Sequence, residues 1–243
     1  MQGAYGVPDL TEIISMDNIR PFALQHIKQR CNITRSTNPF FGYVCLWLLL
    51  TLIGLLSMSK FDSFVAINHF RSYPADLIFT FFTDLGNGII LIPLTIYFLW
   101  TKKYMAVLNL LIAILLNTII IALLKHGFNH PRPLALYGKQ IVMSPHWVKV
   151  NKSLSFPSGH TASAFCMATS LALCFSKHKW LIFTCFILAA LTGYSRIYLG
   201  QHFLEDVWLG TLIGVFVGTL SYALIQYTVL GIQQAKLAKN NQL

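Results

Sequence analysis

The amino-acid sequence predicts an all-α membrane protein, a bundle of six transmembrane helices with both termini cytoplasmic and interfacial helices on the outer side. Three observations carry this expectation. Of the 243 residues, 55% are hydrophobic and only 11% charged, with a mean hydropathy of +0.60. Soluble domains run nearer a quarter charged, and disordered chains are poor in apolar residues. Six apolar stretches approach the roughly 20 residues that a helix needs to cross a hydrocarbon core of about 30 Å. The cations that fall in the shortest loops between those stretches orient the chain.

The first stretch, 40–58 (FFGYVCLWLLLTLIGLLSM), is continuous and uncharged. Residues 61–83 are rich in Phe but carry Asp62, Arg71, Pro74 and Asp76, which suits helix lying in the interface better than a further span. The second and third spans are expected over 85–100 and 104–124, joined by a short loop with Lys102 and Lys103. The fourth and fifth, over 160–175 and 180–197, are joined by a loop with Lys177 and Lys179; the sixth runs over 206–230. The chain thus divides into a polar, mildly basic N-terminal segment (1–38), a membrane domain (39–232) and a short tail (233–243), the two outer pieces cytoplasmic. Residues 1–38 contain no apolar run with a small-residue cleavage site, so the first span is expected to act as its own targeting signal.

Orientation divides the positive charge. With the N-terminus inside, ten of the eighteen Lys and Arg lie on the inner face: Arg20, Lys28, Arg30, Arg35, Lys102, Lys103, Lys177, Lys179, Lys236 and Lys239. The outer face receives Lys60, Arg71, Lys125, Arg132, Lys139, Lys149, Lys152 and Arg196. Both short inner loops are cationic, and Trp100 and Trp180 stand beside them where an aromatic belt belongs. The net charge of +10 is therefore first a topology signal, and nucleic acid is not an expected partner. No Asp, Glu, Lys, Arg or His falls near the middle of a span, which argues against a pump or ion pathway. Asn109 and Asn117 are expected to bond to a neighbouring helix. Cys45, Cys166, Cys174 and Cys185 read as small buried hydrophobes, and Cys31 lies in the N-terminal segment.

The chemistry-bearing residues collect at outer helix ends. Lys125 closes the third span and is followed by Arg132-Pro133; Pro157-Ser158-Gly159-His160 opens the fourth; Ser195-Arg196 closes the fifth; His202 and Asp206 open the sixth. Lys125, Arg132 and Arg196 are three cations whose crowding is unfavourable unless an anion joins them, and guanidinium forks match tetrahedral oxyanions. Pro131 and Pro133 stop the helix and fix the loop that returns Arg132. Ser158-Gly159-His160 is a permissive turn into a helix start, whose free N–H groups favour phosphate. His202 and Asp206 are four apart and share a helix face, so the carboxylate can fix one imidazole tautomer while the other nitrogen attacks. His160 then protonates the leaving oxygen, and the opposite protonation needs of the two histidines predict a bell-shaped pH–rate profile.

This three-part pattern, Lys125 to Arg132-Pro133, PSGH at 157–160, and Ser195-Arg196 through His202 to Asp206, resembles the signature of the phosphatidic acid phosphatase type 2 superfamily. The resemblance covers residues 125 to 206 and shows no departure from the pattern. It implies a six-helix membrane phosphatase with an extracytoplasmic site, a phosphohistidine intermediate, and neither metal nor cofactor. It assigns His202 as nucleophile, Asp206 as its orienting partner and His160 as general acid, with Lys125, Arg132, Ser158, Gly159 and Arg196 binding phosphate.

Two other readings compete with it. His126 and His130, with His146, His160 and His202, make the outer face rich in histidine, as a zinc hydrolase would, although Pro131 ends the helix at His130 and no carboxylate or Cys has matching spacing. A non-enzymatic protein that binds or flips lipid phosphates could use the same cations. The expected partners are the bilayer and a lipid phosphate; the oligomeric state is unassigned. The greasy surroundings, 61–83 and the loop with Ile141, Val142, Met143, Trp147 and Val148, point to an outer-leaflet lipid. Family members of this length act on undecaprenyl diphosphate, phosphatidylglycerol phosphate, lipid A phosphates or phosphatidic acid. By the same analogy the expected location is a bacterial inner membrane, with the active site facing the periplasm.

Overall fold

The computed structural model describes residues 38–240, and the N-terminal segment expected over 1–38 lies, but for Asn38, outside the described residues. Among the described residues the chain forms nine helices and no strand: α1 (Pro39–Ser57), α2 (Lys60–Asn68), α3 (Tyr73–Leu85), α4 (Leu91–Trp100), α5 (Tyr104–Phe128), α6 (Pro133–Tyr137), α7 (Gly159–Cys174), α8 (Lys179–Tyr198) and α9 (Leu204–Asn240). Four helical stretches, Pro39–Ser57, Tyr104–Tyr137, Lys179–Tyr198 and Leu204–Gly231, are long and apolar enough to cross a membrane. Their outer surfaces carry exposed Leu49, Leu50, Leu115, Leu123 and Phe216, the reverse of a soluble helix and the normal face toward lipid.

α7 is the central helix. It packs against α9, α8 and α5, and most of its side chains are buried and many are small. Gly210, Gly214 and Gly218 recur every fourth residue of α9 and face it. A Cβ on Gly214 would collide with Ala162 O, Cys166 N and Phe165 Cβ, and one on Gly218 with Cys166 O at 2.8 Å. Without a hydrophobic drive between helices in lipid, such small-residue seams let backbones approach closely enough for dispersion to hold them. α1 runs antiparallel to α9, tied by Trp208 Nε1 to Leu48 O (3.1 Å) and Trp47 Nε1 to Thr211 Oγ1 (3.3 Å). Asn117 Nδ2 donates to Ser163 Oγ at 3.2 Å, and Ser221 Oγ donates to Asn109 Oδ1 at 2.9 Å. Both mid-helix Asn residues therefore bond across helices, as expected.

The second span departs from expectation. Instead of one helix over 85–100, the chain has α3, turns over 86–90 and a ten-residue α4, which at 1.5 Å per residue is only about 15 Å long. The interruption falls at Gly86-Asn87-Gly88, where Gly88 takes a φ of +80°, a conformation that L side chains rarely adopt. The segment 61–83, expected to lie in the interface, splits into α2 and α3, and α3 packs along α8. Tyr198 Oη donates to Asp76 Oδ1 (2.7 Å), Phe79 packs at a tilt against Tyr198 and Tyr194, and Thr192 Oγ1 donates to Phe82 O (3.0 Å). Phe64 and Phe79 of that segment thus serve packing, while Phe70 and Phe81 stay exposed. α9 continues well past the 206–230 expected for the last span. Cys45 is exposed rather than buried, while Cys166 and Cys185 are buried.

Candidate active site

The residues singled out from sequence meet at one end of the bundle, where α5 and α8 finish and α7 and α9 begin. α5 ends at Asn129, which adopts a left-handed conformation (φ 46°) and donates its N–H to Lys125 O. The chain then turns and pairs with the long loop before α7: Arg132 N donates to Lys152 O and Ser155 N to His130 O, both at 2.9 Å. Arg132 is buried, its Nε donating to Ser153 O (2.8 Å) and its Nη1 to Gln201 Oε1 (3.0 Å). Gln201 is held in turn by its own donation to Lys149 O at 2.9 Å.

Ser158 is the N-cap of α7. Its Oγ accepts from Thr161 N and pairs with Thr161 Oγ1 at 2.8 Å, while its N–H donates to Asp206 O at 3.0 Å. The first N–H groups of α7, at Gly159 and His160, are left for an outside acceptor. Lys125 lies alongside: a Cβ on Gly159 would be 3.9 Å from Lys125 Nζ, and the ammonium feels the charges of Arg132, Arg196 and Asp206.

The turn after α8 brings the last two elements together. Arg196 O accepts from both Gln201 N (2.9 Å) and His202 N (3.2 Å), so the backbone folds His202 back over the guanidinium that ends α8. His202 is fully buried, and its Nδ1 bonds to Asp206 Oδ2 at 3.1 Å. The same carboxylate oxygen accepts from Phe203 N (2.9 Å) and from Ser155 Oγ. With Nδ1 as donor to a carboxylate, the tautomer places the lone pair on Nε2. Burial first, then the positive Arg132, Arg196 and Lys125, hold this imidazole well below the usual histidine value of 6.5. His202 is therefore neutral in the folded protein at neutral pH.

Two buried nitrogens at this site have no partner: His202 Nε2 and Arg196 Nε. Unpaired buried polar atoms are costly and rare, and these are an electron-pair donor just before α9 and a charged N–H donor in the last turn of α8. Arg196 Nη1 is anchored by Thr83 Oγ1 from α3. The arrangement can receive a tetrahedral anion, held by Lys125, Arg132, Arg196 and the α7 N-terminus, with a nucleophilic nitrogen beside it. Two of the other histidines are engaged in ring contacts. His130 packs against Phe128 and Phe156, and His146 against Trp147. Among the described residues no three His, Cys, Asp or Glu side chains stand together as a metal site.

A family model described as PAP2 superfamily matches residues 106–230. The chain belongs to this superfamily. Its relatives are membrane lipid phosphatases. The chain is 42% identical over 69 residues to a lipid A 1-phosphatase of Porphyromonas gingivalis, a match spanning 28% of this chain and 16% of that protein. It is 26% identical over 188 residues to an undecaprenyl-diphosphatase of Sulfolobus acidocaldarius, spanning 72% of this chain and 88% of the relative. The crystal structure of Aquifex aeolicus LpxE superposes with a TM-score of 0.60 and 39% identity, covering 66% of this chain and 92% of that one. With its apolar helices, this makes the PAP2 chain an integral membrane protein and supports phosphatase chemistry.

Four contributors to this PAP2 site escape a motif reading: Thr83, Gly86, Ser155 and Gln201. A lone Thr or Gln has no spacing to betray it. Gly86 sits where a Cβ would come within 2.9 Å of His160 Cβ and Thr192 Cγ2, so the break after α3 backs directly onto His160. Val142, one of the loop residues whose apolar character pointed to a lipid, is buried in the cluster with Phe64 and Phe203 and has a packing role.

Proposed function

We propose that the protein is a lipid phosphatase that cleaves a phosphate monoester or diphosphate through a phosphohistidine on His202. The observation that carries this reading is the buried, unpartnered Nε2 of His202, whose opposite nitrogen is engaged by a carboxylate accepting three hydrogen bonds. In the first step Nε2 attacks phosphorus, the P–O bond to the lipid breaks, and His160 gives its proton to the departing oxygen. In the second, water attacks phosphorus, the P–N bond breaks, His160 takes the water proton and inorganic phosphate leaves. Lys125, Arg132, Arg196 and the Ser158–Gly159 helix start hold the non-bridging oxygens as charge builds on them. Asp206 keeps the His202 tautomer and stabilises the phosphorylated imidazole. No metal takes part.

The same reading assigns six membrane crossings, with α3 and α4 together forming the second, both termini in the cytoplasm and the site at the outer face. The short cationic loops carrying Lys102, Lys103, Lys177 and Lys179 support that orientation. The membrane unit is 39–232, flanked by cytoplasmic 1–38 and 233–243, and the location is a bacterial inner membrane with the site toward the periplasm. The substrate class is an outer-leaflet lipid A phosphate, undecaprenyl diphosphate or phosphatidylglycerol phosphate. The test is phosphate release by the purified protein from each of these lipids, in excess chelator, beside His202→Ala. Activity that survives chelation and disappears in the variant supports the reading. Substantial hydrolysis by His202→Ala contradicts the mechanism, and binding without any hydrolysis by the unaltered chain favours a lipid-binding protein instead.

A further inference from the structure

A second cluster of cations lies at the end of the bundle opposite the candidate active site, where α4 and α7 finish and α5 and α8 begin. The turn after α4 is closed by Lys103 N donating to Phe98 O at 2.7 Å and carries Lys102 and Lys103. The turn between α7 and α8 carries Lys177, His178 and Lys179, and all five of these side chains are exposed. None of the four lysines has an ion pair among the described residues. The described carboxylates stand elsewhere: Asp62 in α2, Asp76 and Asp84 in α3, Glu205 and Asp206 in the first turn of α9. Like charges gathered without a counter-charge repel one another unless an anion joins them.

Two adjoining cavities open among these residues. One, of about 680 Å³, is lined by the cationic Lys103, Lys177 and Lys179 together with the apolar Leu94, Leu171 and Leu181. The other, of about 540 Å³, has Lys102 and Lys103 beside Asn109 and Gln226. Lys103 and Phe175 line both, and Lys103 Nζ stands 4.8 Å from the centroid of the Phe175 ring, an attraction that holds the ammonium at the shared wall. The indole of Trp180, beside Lys179, is exposed, as suits a residue at the membrane–water boundary. The 20 residues of α8, from Lys179 to Tyr198, span about 30 Å at 1.5 Å per residue, the thickness of a hydrocarbon core. With the candidate phosphate site in one headgroup layer, the lysine cluster falls in the headgroup layer of the other leaflet.

We propose that these cavities bind an anionic phospholipid of the leaflet opposite the active site, its phosphate among Lys103, Lys177 and Lys179 and the start of an acyl chain along Leu94, Leu171 and Leu181. The occupant is a lipid rather than a free phosphate because the same cavity joins cations to a leucine wall at headgroup depth. It is anionic because a zwitterionic headgroup brings no net charge to lysines that lack a carboxylate. The site stands apart from the phosphatase reading, since none of its residues belongs to the His202 cluster. A lipid seated there touches α4, α7 and α8 at once, and so braces from its far end the helix that carries His160.

The experiment titrates the purified full-length protein in detergent, where its lysines no longer set topology, with dioleoylphosphatidylglycerol, dioleoylphosphatidylcholine and glycerol 1-phosphate. Native mass spectrometry counts the molecules bound. The doubly substituted chain Lys103→Gln, Lys179→Gln, changed only at exposed side chains, is measured alongside, with Lys125→Gln as the control at the other end of the bundle. The unaltered protein is expected to hold phosphatidylglycerol about tenfold or more tightly than phosphatidylcholine, and the double variant to lose that preference. Lys125→Gln is expected to retain it. Equal affinity for the two lipids, or equal affinity for phosphatidylglycerol in the unaltered and doubly substituted chains, overturns the site. Phosphatidylglycerol binding lost only in Lys125→Gln places the lipid in the active site and overturns it too. Glycerol 1-phosphate bound as tightly as phosphatidylglycerol through the same two lysines overturns the lipid as occupant.

Discussion

α7 meets α9 along a seam in which Gly210, Gly214 and Gly218 leave no room for a Cβ, whereas α7 meets the α3–α4 crossing across an open cavity. The two sides of one helix thus solve different problems. The seam fixes His160, on α7, against His202 and Asp206, at the start of α9, and the proposed proton and phosphoryl transfer needs those positions held within fractions of an ångström. The cavity side bears on the same site through Thr83 and Gly86 and through the charge of Asp84 near Arg196, and otherwise leaves space. Close packing where the buried histidine and its charged neighbours meet, and open space along the opposite face of the same helix, is the division this comparison teaches.

The seam is the place where a single change is expected to cost most. Gly214→Val drives side-chain atoms into Ala162 O and Cys166 N, and overpacking of a backbone contact with no flexible neighbour is expected to cost about 3 kcal/mol or more. Thermal unfolding of the detergent-purified variant, or its failure to accumulate, measures this; a native-like midpoint contradicts the close approach. Next comes Asp206→Asn, which preserves shape but removes the carboxylate that sets the His202 tautomer. A fall in kcat of about 10⁴-fold is the scale set by the equivalent change in a catalytic triad, with the fold retained.

On the cavity side the effects are smaller. Thr83→Val leaves Arg196 Nη1 without its acceptor, and a hydrogen bond to a charged group is worth about 1.5–3 kcal/mol, so kcat/KM should drop by about tenfold or more. Thr83→Ser should restore it, which a purely steric role for the Thr methyl does not predict. The smallest effect is one of pH. A protonated His202 cannot attack, and burial together with Arg132, Arg196 and Lys125 holds it neutral well below 6.5. As pH falls, activity therefore persists past 6.5, and the acid limb of kcat/KM lies below that value. An acid limb at or above 6.5 means that the cations do not face His202 in the free enzyme.

Much of this site is legible in the linear chain because each block ends or begins a helix. Lys125 and Arg132, Ser158 to His160, and Arg196 to His202 and Asp206 are brought to one depth by four helix ends alone, and the structure assembles all eight. What spacing did not disclose is what holds them. Thr83 sits in a segment whose charges suggested an interface, and only its packing on α8 places it beside Arg196. Ser155 and Gln201 act through single hydrogen bonds that no periodicity announces. The glycines of α9 are spaced for a tight helix contact, so that seam was readable in principle. The break in the second crossing was also written locally, in Gly86-Asn87-Gly88, but its apolar flanks read as one continuous span. Val142 shows the opposite error, an apolar loop residue whose greasiness serves the core.

The central claim is that His202 carries the phosphoryl group. Rapid quenching of the purified protein during turnover of a radiolabelled lipid phosphate, followed by peptide mapping, tests it directly. The account predicts label on the peptide containing His202, stable to base and lost in acid, and absent from His202→Ala. Phosphate release at full rate with no label on that peptide, or with acid-stable label elsewhere, contradicts it.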